Sequence, residues 1–255
     1  MQTEIYIGVV PMSLNTLKGM VPYKLRKRIY DLIPKKKQGV AAVLDHVDRN
    51  ISTIFDIGAN IGDISLYMLR RFPGATVHSF EPCSETYASL LENLRIADYG
   101  ERAQPHRFGF YDQEMQGRLN ISSFHGANSM LELSEEYREM NPQIVNLDTE
   151  EIPLVRLDDF VRVQNIDHID LVKIDVEGVE RQVLLGGRET FSTKVDTVLM
   201  EISFVKHPRE TGEYLNLLQL MHEYGFAPSE IYDIAHSDHE QMWRLAQIDC
   251  VFRRY

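Results

Sequence analysis

Two cysteines in 255 residues, Cys83 and Cys250, are too few and too far apart for a disulfide framework or a cysteine-based zinc site. A reducing interior, the cytoplasm, is the expected compartment. No run approaches the roughly 20 apolar residues of a membrane-spanning helix, and the first thirty residues lack a signal peptide's apolar core, so a soluble protein is expected. Basic charge is scarce. With 27 Lys and Arg against 38 Asp and Glu the net charge is −11, which speaks against nucleic acid as a partner. Internal repeats and low-complexity segments are absent as well. What remains is 44% hydrophobic and 25% charged residues, enough for one large domain with an appendage.

Residues 1–50 read as that appendage. Leu25, Ile29, Tyr30 and Ile33 have helical spacing up to Pro34, and Val40, Val43, Leu44 and Val47 resume it. Between Lys18 and Lys37 eight basic residues face one acid, Asp31. Such a run is ordinarily a solvated helix face, and its sharper reading is peripheral contact with anionic headgroups or a phosphate-bearing substrate.

From residue 51 strands and helices alternate. The apolar run Ile51–Ile57 breaks at Gly58, and Ile61, Ile64, Ser65, Met68, Leu69 and Phe72 line a helix stopped by Pro73-Gly74. Strands are expected at 75–80, 103–108, 168–175, 195–202, 226–232 and 248–252, with helices between them. Residues 109–155 lack a clean period and read as polar loop with a short hairpin near Leu119-Asn120-Ile121. This alternation predicts an α/β fold with a doubly wound, mostly parallel sheet, and ligands beyond the carboxyl ends of its strands.

The turn at Gly58 selects among ligands. A dinucleotide fingerprint requires Gly at 60 and 63, where this chain has Asn60 and Asp63. Asp63 would set a negative charge where a pyrophosphate rests, and no Gly-Lys-Ser/Thr follows for a phosphate loop. A cationic, amino-acid-bearing cofactor suits the turn better. Asp56 can take an ammonium, Gly58 and Gly62 let backbone approach the ligand, and Glu81 at the next strand end can accept two ribose hydroxyls. That set describes S-adenosylmethionine. The competing structural reading makes the glycines packing devices and Glu81 a solvated acid.

These residues resemble the FkbM family of class I methyltransferases over roughly 50–205. The resemblance rests on Phe55-Asp56-Ile57-Gly58-Ala59-Asn60-Ile61-Gly62, Phe80-Glu81-Pro82, Leu157-Asp158-Asp159-Phe160, the run Lys173-Ile174-Asp175-Val176-Glu177-Gly178-Val179-Glu180, and Glu201. It implies a Rossmann-like sheet of seven strands over 51–255, the last strand antiparallel, behind an N-terminal helical extension at 1–50. It also implies methyl transfer from S-adenosylmethionine, leaving S-adenosylhomocysteine, to a hydroxyl of a sugar, polysaccharide or natural-product acceptor. The expected cofactor residues are Asp56, Gly58, Ala59, Asn60, Gly62, Glu81, Pro82 and Asp175, with Phe110 in the turn after the third strand.

For chemistry, Asp175 is expected beside the transferred methyl and the acceptor. Glu177, Glu201 and His207 are the candidate bases. The plainer readings are a helix cap near Val179 for Glu177, a buried acid for Glu201 and a loop histidine for His207. A divalent metal on Asp175, Glu201 and His207 is conceivable but not expected, and no metal site is assigned. His236, Asp238 and His239 have zinc-like types but read as a surface turn. Tyr111, Phe124, His125, Asn128, Ser129 and Tyr137 are candidates to line a sugar site. The other function classes are a nicotinamide- or nucleotide-sugar-linked oxidoreductase and a non-catalytic cofactor-binding relative. Acceptor identity and oligomeric state are not readable from the chain.

Overall fold

The computed structural model describes residues 4–7, 10–13, Leu44, Val47, 50–205, 213–239 and 242–255. The chain divides into two compact units, Met1–Gln38 and Gly39–Tyr255. Within the first, β1 (Glu4–Ile7) and β2 (Val10–Ser13) pair antiparallel, Glu4 opposite Ser13 and Ile7 opposite Val10. The helix expected around Leu25–Ile33 and the basic segment 18–37 lie outside the described residues. Leu44 and Val47 are buried in the second unit with Ile51 and Ile54, so that unit starts before residue 51.

The second unit is built on a seven-stranded sheet. Its parallel members are β3 (Thr53–Ile57), β4 (Thr76–Phe80), β5 (Ala103–His106), β9 (Ile169–Ile174) and β10 (Val195–Ser203). The order across the sheet is β11-β12-β10-β9-β3-β4-β5, with β12 (Met242–Arg254) antiparallel to both β10 and β11 (Phe226–His239). The chain winds outward from β3 through β4 to β5, then returns to the far side of β3 at β9. The junction of β3 and β9 is therefore the switch point, where the helices leave in opposite directions and open a crevice.

Strand alternation sends side chains to two cores. Ile54, Val77 and Leu171 pack with Met68, Leu69, Leu90 and Leu94, from α1 (Asp63–Arg71) and α2 (Ser84–Ala97). Phe55, Val172, Val198 and Phe252 pack on the other face with Leu157, Val183, Phe191 and Leu217. Those come from α4 (Leu157–Val163), α5 (Glu180–Gly186), α6 (Arg188–Thr193) and α7 (Glu213–Glu223). Both faces are covered, which is why β9 reads as a nearly continuous apolar run. An aromatic layer sits under the crevice, where Phe80 meets Phe55 at 5.1 Å, Phe110 at 4.6 Å and Phe160 at 5.2 Å between centroids. Each such ring contributes about 2–3 kcal/mol when fully buried. His78 and His106 join this layer, Nδ1 to Nε2 at 3.1 Å. Burial pushes both down to about 4, and for His78 the neighbouring His106 adds to it.

Two expectations need correction. Residues 109–155 form a second sheet, in which β6 (Gly109–Phe110) lies parallel to β8 (Asn146–Val155) and β7 (Met115–Ser122) antiparallel to it. Its pleat is thin. Leu119, Ile152 and Leu154 face inward with Cys83, while Arg118, Asp148 and Glu151 stay outside, so charge and Pro153 hide the alternation. A short helix, α3 (Glu135–Met140), follows Ser134, whose hydroxyl accepts from the Tyr137 amide at 3.0 Å. The second correction concerns His236, Asp238 and His239, which belong to β11, opposite Leu245, Trp243 and Met242 of β12, and not to a turn. Among the described residues no helix is long and apolar enough to cross a membrane.

Candidate active site

Above the carboxyl ends of β3, β4, β9 and β10 lies a cavity of about 480 Å³, roofed by the second sheet. Its floor is the turn after β3. Gly58 has φ +79°, and a Cβ there would come within 1.8 Å of the Asp175 carbonyl oxygen. Gly62, the N-cap of α1, has φ +87°, and its Cβ would strike Leu90 at 2.5 Å. The space these glycines leave is thus filled by protein: β9 comes in against Gly58, and α2 against Gly62. Both glycines are therefore required for close packing, and of the two Gly58 also lines the cavity.

The expectation for Asp56 is corrected. It is fully buried and does not reach the cavity. It sits in register with Lys173 of β9 and Ser79 of β4. One carboxylate oxygen accepts from Ser65 Oγ at 2.6 Å, and the other lies 3.3 Å from Lys173 Nζ. The ammonium of Lys173 also donates to the Gly58 carbonyl at 2.7 Å and meets Asp175 at 3.3 Å. Burial alone would favour the neutral amine, but the charges of Asp175 and Asp56 outweigh it and hold Lys173 above its ordinary value.

Glu81 closes the side of the cavity nearest β4. Oε2 accepts from the Asn60 amide at 2.9 Å, and Oε1 from the Cys83 amide at 3.0 Å and Thr86 Oγ1 at 2.8 Å. Of about four acceptor directions on a carboxylate, three are taken by protein, so the carboxylate is fixed and has one direction left. Burial raises its pKa, against the Cys83, Thr86 and Asn60 hydrogen bonds and the charge of Lys173. Asn60 holds φ +52° and turns its Oδ1 onto the Ile61 amide at 2.8 Å. Ala59, Asn60, Pro82 and Phe110 all line the cavity.

On the opposite side Asp175, Glu177 and Glu201 converge, one carboxylate oxygen of each within 4.8 Å of the others. Glu177 has φ +60° and Gly178 φ +111°. That strained turn, tied by Ser129 Oγ to the Glu177 carbonyl at 2.6 Å, puts the Glu177 side chain on the cavity wall. At the start of α5, Glu180 accepts from the Gly178 amide at 2.9 Å. Three hard oxygen donors at this spacing are also a set that a divalent cation would accept. His207 lies outside the described residues. Of the candidates for a sugar site, Phe124, His125, Asn128 and Tyr137 line the cavity from the second sheet and its connections. Tyr111 packs beside Cys83 and Ile152 instead, and Ser129 is spent on the Glu177 turn.

A family model described as the methyltransferase FkbM domain matches residues 56–228. The chain belongs to the FkbM methyltransferase family. A "31-O-demethyl-FK506 methyltransferase FkbM" from Streptomyces tacrolimicus is 32% identical over 188 residues, 65% of this chain and 70% of the relative. A "Methyltransferase 1" from Beauveria bassiana is 30% identical over 186 residues, 69% and 72% of the two chains. The solved structure of an rRNA methylase from Streptococcus thermophilus superposes with a TM-score of 0.50 at 11% identity, covering 86% of this chain and 98% of that one, and so shares the fold. This FkbM chain is an S-adenosylmethionine-dependent methyltransferase. Among the lining residues that sequence reasoning gave no role is Lys173. The signal was there: a lysine amid Leu171, Val172 and Ile174, on a strand covered on both faces, has to be paired. Gln247, Met130, Ile152 and Leu154 were missed because no local spacing announces that distant strands will face the same cavity.

Proposed function

We propose that this chain methylates a hydroxyl group on a sugar or natural-product acceptor. The observation that carries the reading is the convergence of Asp175, Glu177 and Glu201 at the strand ends beside the Gly58 turn, facing the roof formed by residues 109–155. A hydroxyl is a weak nucleophile at neutral pH and needs a proton acceptor, which a carboxylate within hydrogen-bond reach supplies. The donor set suits S-adenosylmethionine. Glu81 has one acceptor direction for a ribose hydroxyl, Phe110 and Pro82 give an apolar wall for adenine, and Asp175 with the Gly58 turn receives the methionine end. When bound, the cofactor supplies a methyl carbon on a sulfonium, open to in-line displacement.

The chain's own residues do the rest. Asp175 orients the acceptor hydroxyl, Glu177 or Glu201 takes its proton, and Phe124 and Tyr137 hold the acceptor's apolar faces. The name of the Streptomyces relative, which specifies a 31-O-demethyl substrate, supports oxygen as the receiving atom. An NAD-linked reading is disfavoured by Asp63, which lines the cavity at the start of α1, where a pyrophosphate would need positive potential. The test is transfer of a labelled methyl group to a panel of saccharides and polyketide alcohols, with the methylated atom located by mass spectrometry. Label on oxygen is expected. Label on nitrogen or carbon alone would overturn the hydroxyl assignment.

A further inference from the structure

We propose that Lys173 is a positioning residue for the methionine end of the cofactor, acting through Gly58 and Asp175; this rests on the S-adenosylmethionine reading. An ammonium has three donors, and Lys173 has three acceptors around it: Asp56, Asp175 and the Gly58 carbonyl. A purely structural lysine in this strand would need one buried counter-charge, which Asp56 already provides at 0% exposure. The other two partners lie on the cavity wall. Lys173, itself only 4% exposed, therefore links the core to the two groups between which the crevice opens, one at the end of β3 and one just past the end of β9.

The linkage has a chemical consequence. Formally, Asp56, Asp175 and Lys173 sum to one negative charge, and Asp175, with its side chain 34% exposed, is the member that presents it to the cavity. Lys173 holds one Asp175 oxygen at 3.3 Å, so the carboxylate is fixed in orientation before a cationic ligand arrives. Pre-ordering of this kind lowers the cost of binding. The charges of Asp175 and Asp56, each 3.3 Å away, keep Lys173 protonated and so exclude it from service as a base or nucleophile. Glu81 and the Asn60 turn, which would hold the adenosine end, take their hydrogen bonds from Asn60, Cys83 and Thr86, and Lys173 reaches Glu81 only through its charge.

The experiment compares S-adenosylhomocysteine with 5′-methylthioadenosine, which lacks the amino-acid end, by calorimetric titration. Lys173→Met alone strands Asp56 as a buried unpaired charge, and a loss of folding is expected. The informative protein is the double variant Lys173→Met, Asp56→Asn, with folding checked by circular dichroism and melting temperature. Positioning predicts that this variant binds S-adenosylhomocysteine about tenfold more weakly, while 5′-methylthioadenosine stays within about twofold of the parent. Equal weakening of both ligands, or of neither, would overturn the inference. Failure of the parent protein to bind S-adenosylhomocysteine would overturn the cofactor reading beneath it.

Discussion

The two sides of the crevice are built in opposite ways. The β3–β4 side is a set of backbone turns locked from behind, with Gly58 against β9, Gly62 against α2, and Glu81 held by three protein donors. The roof formed by residues 109–155 is a thin sheet with a small core, and it presents side chains such as Phe124, 52% exposed, rather than backbone. One side is preorganised for a ligand of fixed chemistry. The other can change its exposed residues without disturbing the main sheet, as expected where an acceptor is chosen.

The contrast can be broken in graded ways. The largest effect is expected from Asp175→Asn, which removes the charge at the shared boundary of the two sides. Methyl transfer should fall about 10³-fold, measured with labelled cofactor, while the melting temperature changes little by comparison. Gly58→Ala comes next. A Cβ 1.8 Å from a backbone oxygen, at φ +79°, has no flexible neighbour to move, and a loss of about 3 kcal/mol is expected by denaturant unfolding. A change below about 0.5 kcal/mol would show that the β3 turn is not locked.

Acid should loosen the same side. His78 and His106 have folded values near 4, below their ordinary 6.5. Depressed histidines stabilise fully above the unfolded value, and that stability is lost as pH falls from about 6.5 toward 4, because the unfolded chain takes up the protons. Melting temperature should drop through that window, and His78→Phe with His106→Phe should flatten the profile. The smallest effect belongs to the roof: Phe124→Ala should raise the acceptor KM about tenfold and leave S-adenosylhomocysteine affinity unchanged. An equal change in both would erase the distinction between the sides.

Legibility in the sequence follows the same division. The β3 turn, Glu81 and the run Lys173–Glu180 were readable because they are short, contiguous and tied to strand ends. Their partners were not. Asp56 was expected to meet an ammonium of the ligand and instead meets that of Lys173, because register between β3 and β9 is invisible along the chain. The roof was read as loop because its strands bury only every second residue against a shallow core, and polar residues fill the rest. Glu177 and Glu201 were named as candidate bases, and strand order with a left-handed backbone turn brings them together beside Asp175.

The measurement that bears most directly on the central claim is calorimetric titration of S-adenosylhomocysteine into the parent protein and Glu81→Gln. Saturable binding, weakened about tenfold in the variant, with no heat from NAD, is predicted. Absence of S-adenosylhomocysteine binding, or binding that Glu81→Gln leaves untouched, would contradict the account of the crevice as the cofactor site.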